Sequence, residues 1–272
     1  MEFIVLRRAN QSTERGDQPP ALEPGVFLRP SDSAVRLTRR DGAWVRTQGP
    51  YAPRELVAGM TLVDAASRAD VIEQVRWWPL FDAGAVYEIR TPGTGRHWAG
   101  LDDPATPAEH RPERHPDLTR YLVLLRADFD ARFDASSGPD AEALARIQAY
   151  HAEGVRSGAL LAACGLPVAD RSARVHFANA NTTVVDGPFS ALNELVAGYW
   201  MLQAASLEDA VAWAQAYPYP LDGGLTVEIR AVCERREQRE FTPEMEAAEA
   251  RLRAELLAAS MGTAPGKDAA GA

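Results

Sequence analysis

Lysine is all but missing from this sequence: Lys267 is the one copy, in a terminal run of Gly, Ala and Pro, and arginine supplies the other long basic side chains. Schiff-base chemistry and lysine-dependent phosphate loops need that side chain on a folded element, so both are excluded. Cysteine is equally scarce. Cys164 and Cys233 stand far apart among largely apolar neighbours, which excludes a disulfide framework or thiolate metal centre and marks both as small core residues. No apolar run reaches the length of a bilayer, and the opening MEFIVLRR has neither the apolar region nor the cleavage site of a secretion signal. A cytoplasmic chain without a membrane partner is therefore expected. A formal charge of -9 excludes nucleic acid, whose backbone calls for concentrated positive charge; small acidic or neutral molecules can still be held by local arginine.

What the chain has is an internal repeat. At 272 residues and 46% hydrophobic content it is large enough for two cored domains. The stretch 44–75 answers to 182–214: Gly49-Pro50-Tyr51 aligns with Gly187-Pro188-Phe189, Glu55 to Gly59 with Glu194 to Gly198, and Tyr87-Glu88-Ile89-Arg90 with Val227-Glu228-Ile229-Arg230. Each half reads as a strand, a helix or its remnant, a β-hairpin, a strand, a helix and a last strand. Ser206 with Asp209, and Ser67 with Asp70, supply helix N-caps.

The halves also differ. Gln48 stands where the second half has Asp186, so the first half lacks an acid or base there. Residues 10–30 form a proline-rich run without helical period, whereas 139–155 put Leu144, Ile147 and His151 on one helical stripe. The expected domains are a degenerate repeat at 1–90, a Pro-rich linker at 91–118, a second repeat at 119–234, a helix at 235–261 opened by Thr242-Pro243-Glu244, and a disordered tail at 262–272. His97, His110 and His115 fall in the linker at spacings that match no helical ligand pair, so neither metal nor cofactor is expected.

The sharpest motif is Asp186-Gly187-Pro188-Phe189. Val184 and Val185 run into it, proline fixes its own φ and disfavours helix at Gly187, and a strand must end there in a tight turn. With the YLVLLR, ELVAGYWML and VEIRAV strands and the SLEDAVAWA helix in order, the stretch from about 119 to 257 resembles the DGPF branch of the YCII-related proteins. The resemblance implies an α+β fold of tandem ferredoxin-like domains that pair within the chain, as a pseudo-dimer, into a dimeric α/β barrel with a C-terminal helix; higher assembly stays open. It implies a small carboxylic acid as ligand. In the wider superfamily this goes with lyase-type proton transfer by a His and Asp pair; the alternative is a non-catalytic binding or regulatory accessory protein linked to an alternative sigma factor. Ala143 stands where enzymatic members have their helix histidine, and His151 lies eight residues on, about 80° further round.

The candidate catalytic residues are accordingly Asp186 and His151, and the candidate ligand-binding residues Tyr199, Arg174 and Phe189. Each has a structural reading too. Asp186 can bond its own turn, and His151 can be a hydrogen-bonded core residue. His176 reads as surface, Arg171 and Arg174 as solvated strand-end charges or carboxylate clamps, and Tyr199 and Trp200 as opposite faces of one strand, one in the core and one beside a cavity. The second half is expected to hold the ligand site and the first to cover it.

Overall fold

The continuous apolar runs in Glu2–Arg8 and Thr119–Ala127 send successive side chains to opposite faces, both buried, and both segments are central strands of a mostly antiparallel α+β fold. The computed structural model describes residues 1–16, 25–78, 84–91, 113–127, 141–166, 172–178, 181–187, 189, 195–219 and 225–233. Residues 1–233 form one compact unit. The expected C-terminal helix and tail, most of the linker, Arg171 and Pro188 lie outside the described residues.

The first half contains β1 (Glu2–Arg8), α1 (Gln11–Glu14), β2 (Gly25–Leu28), β3 (Val35–Arg40), β4 (Ala43–Gln48), β5 (Val57–Asp64), α2 (Arg68–Arg76) and β6 (Val86–Arg90). The second contains β7 (Thr119–Ala127), α3 (Ala141–Arg156), β8 (Leu160–Gly165), β9 (Ala173–Ala178), β10 (Asn181–Asp186), β11 (Val196–Ala204), α4 (Leu207–Ala216) and β12 (Leu225–Cys233). The strand order is β10-β9-β6-β1-β5-β2-β12-β7-β11-β8, with the β3-β4 hairpin branching from β12. Each half thus has its last, first, third long and short second strand in the same order, β6-β1-β5-β2 and β12-β7-β11-β8. The hairpins are exchanged: β3 lies on β12 and β9 on β6. Among the described residues no pairing joins β8 to β6, so the path of strands stays open there.

Three larger apolar cores follow from this turning of successive side chains to opposite faces. Phe3 and Val5 pack under Val71 and Val75 of α2, joined by Val175 and Phe177 of the exchanged β9. Val123, Leu125 and Trp200 pack under α3 and α4, joined by Val35 and Leu37 of β3. Between them Ile4, Leu6, Leu28 and Met60 of the first half meet Leu122, Leu124, Tyr199 and Met201 of the second. Burying a side chain of this size stabilises by about 1.5–3 kcal/mol, so this shared core makes separating the halves costly.

Within the proline-rich run, residues 10–16 and 25–30 carry structure that their composition does not predict. Asn10 accepts from the Thr13 backbone N–H and caps the single turn of α1, Glu14 accepts from the Ser31 backbone N–H, and Gly25–Leu28 enters the sheet between β5 and β12. These supports are a cap and distant partners, which periodicity does not register. Strand β8, LLAACG, escapes the sequence reading because a short apolar run has no period of its own. Ser67 and Ser206 do cap α2 and α4 by accepting from Asp70 and Asp209 N–H. No helix among the described residues is long and apolar enough to cross a membrane.

Candidate functional site

Where each exchanged hairpin meets the other half's last strand, a carboxylate is buried. In register Arg174 faces Glu88 and Arg36 faces Glu228. On β6 and β12 these acids share a face with their cross-strand neighbours Leu6 and Leu124, members of the shared core, and both are 0% exposed. A carboxylate in such a place must be paired. Glu88 accepts from Arg90 Nη1 at 3.0 Å and Arg174 Nε at 2.9 Å, with Arg8 at 3.9 Å. Glu228 accepts from Arg36 Nε at 2.9 Å and Arg126 Nη2 at 3.0 Å, with Arg230 at 3.7 Å. Burial alone would push both carboxyls up, yet the surrounding guanidinium groups outweigh it and hold both below the usual carboxylate range.

The likeness of the two seams extends outward. Arg36 lies over the Tyr51 ring at 4.0 Å and Arg174 over Phe189 at 4.1 Å. Ala58 is the extra residue of a bulge in β5 opposite Arg7 and Arg8, and Ala197 that of a bulge in β11 opposite Leu125 and Arg126. Arg36 also binds Glu55, Arg230 binds Glu14, and Arg126 donates to the Glu55 carbonyl. The sequence reading missed the buried acids and all these arginines except Arg174. The available signal was Glu-Ile-Arg recurring in two otherwise apolar last strands.

Asp186 stands at the end of β10, opposite Ala173, as Gln48 stands opposite Val35. It is 66% exposed and binds Arg68 Nη1 of α2 at 2.9 Å. One step further, Gly187 N–H continues the β9-β10 ladder to the Ser172 carbonyl, which Arg68 also reaches. Gln48 donates to the Asp32 carbonyl. On the other seam Arg46 of β4 binds Glu208 of α4 through two 2.7 Å bonds, so each hairpin holds the other half's helix by an ion pair of opposite polarity.

His151 is 0% exposed on α3, and its Nε2 accepts from Trp200 Nε1 at 3.1 Å. Burial pulls its pKa down to about 4, so the ring is neutral at pH 7. Tyr217 at 5.6 Å between ring centres, with Trp213 and Tyr219 beyond it, makes the surroundings aromatic. His151 and Asp186 are therefore not brought together. Tyr199 and Trp200 do point to opposite faces, but both are core, Tyr199 in the shared cluster and Trp200 under α3 and α4. Arg174 and Phe189 are in contact. His176 is half-buried, and burial and then Arg174 lower its pKa. Cys164 and Cys233 are half-buried and share no disulfide. Among the described residues no group of three or more His, Cys, Asp or Glu could hold a metal ion.

Among the described residues, the two acid-base candidates are thus engaged separately, His151 with Trp200 and Asp186 with Arg68. A search of curated proteins gives no match. Residues 119–236 match the family model of the YCII-related domain, a span that opens with β7 and takes in α3, the β9-β10 hairpin, α4 and β12; this part of the chain is a YCII-related domain.

Proposed function

We propose that this protein is a non-catalytic binding module for a small carboxylic acid, built from two tandem ferredoxin-like copies that pair within the chain as the subunits of a dimeric α/β barrel do. One observation carries the functional reading: His151 and Asp186, the acid-base candidates, are engaged apart, the first with Trp200 in an aromatic core and the second with Arg68 at the surface. A lyase-type proton transfer needs both groups within reach of one substrate. The equivalent strand orders, exchanged hairpins and bulges at Ala58 and Ala197 support the tandem pairing.

The test is a panel of small carboxylic acids and aldehydes added to the full chain and followed by NMR for both binding and turnover. The reading expects binding without chemical conversion, and unchanged binding in Asp186→Asn. Conversion of a panel member that Asp186→Asn abolishes would overturn it.

A further inference from the structure

Arg39 is out of keeping with its place in the fold. It sits on β3 opposite Leu225 of β12, the position that β9 fills with Phe177 beside Ala85 in the other seam. Phe177 packs edge-on to Tyr87 at 5.8 Å in an apolar core, so the fold itself is served by an aromatic ring there. Among the described residues no carboxylate pairs with Arg39, and its buried Nε donates to nothing. Its guanidinium lies 5.8 Å from the ring centre of Trp44, its cross-strand neighbour on β4.

Trp44 in turn meets Tyr219 edge-on at 5.6 Å. Tyr219 is 8% exposed, and its hydroxyl makes no hydrogen bond to protein. Burial raises that phenol well above 10, so it keeps its proton and remains a donor, and the Arg39 charge is felt at it. Two donors thus stand beside one indole without an acceptor. An unsatisfied buried donor is costly, and both would be satisfied by an oxygen acceptor, best a charged one. The Trp44 and Tyr219 rings suit a flat apolar body next to that charge.

Building on the reading of the chain as a binding module for small carboxylic acids, we propose that Arg39, Trp44 and Tyr219 form its site for an aromatic carboxylate. The carboxylate accepts from Arg39 and the Tyr219 hydroxyl while its ring lies against Trp44.

Benzoate, with benzamide and acetate as controls, is titrated into the full chain by calorimetry, with the Trp44 indole N–H followed by NMR. Benzoate is expected to bind and shift that resonance, and benzamide, which lacks the charge, to bind at least about tenfold more weakly. Arg39→Gln and the isosteric Tyr219→Phe are each expected to weaken benzoate by about tenfold or more. Benzoate binding equally well to both variants, or failing while another small carboxylic acid binds, overturns this site and leaves the binding-module reading standing. No carboxylic acid binding at all overturns both.

Discussion

The histidine on α3 and the two buried glutamates show how burial decides what an ionisable residue does here. His151 has its pKa lowered from 6.5 to about 4, so below pH 6.5 the unfolded chain takes up a proton that the folded chain refuses. The stability this residue supports is whole above pH 6.5 and falls as pH drops toward 4, by up to about 1.4 kcal/mol per pH unit. His151→Phe should flatten that part of the profile in urea unfolding. It should also cost about 1–3 kcal/mol at pH 7, because the buried hydrogen bond from the Trp200 indole N–H to the His151 ring is lost. The glutamates have lowered pKa values, so their contribution is complete above the ordinary carboxylate pKa and is lost as pH falls through the depressed value. Glu228→Gln removes the buried charge that Arg36, Arg126 and Arg230 share and should cost about 3–5 kcal/mol by the same measurement. Asp186→Asn removes an ion pair in which the acid is 66% exposed and should cost less than about 1 kcal/mol.

At the scale of elements, the hairpins and the turns that seat them hold the halves together. Gly49 follows β4 where the chain passes the Ser31–Ser33 turn so closely that a Cβ would lie 1.7 Å from the Ser31 carbonyl oxygen. Gly49→Ala must displace backbone and should cost about 1–3 kcal/mol, read from its melting transition. Much of this level was legible in the sequence. Apolar runs marked the long strands, serine caps marked the starts of α2 and α4, and the Gly-Pro-aromatic repeat put Tyr51 and Phe189 in equivalent places under Arg36 and Arg174. Strands β2 and β8 were not legible, since their order comes from neighbours distant in sequence. For the same reason Asp186 could be placed at a strand end while its partner, Arg68, could not be named.

At the scale of the whole molecule, cooperativity between the two halves of residues 1–233 is expected, because each hairpin pairs with a strand of the other half and the central core draws on both. Its most direct test is native-state hydrogen exchange of the full chain at increasing urea, comparing amides of β1 with those of β7. Both sets are expected to exchange through the same global opening, with one free energy and one urea slope. Amides of β1 opening at a lower free energy and smaller slope while β7 stays protected would contradict it.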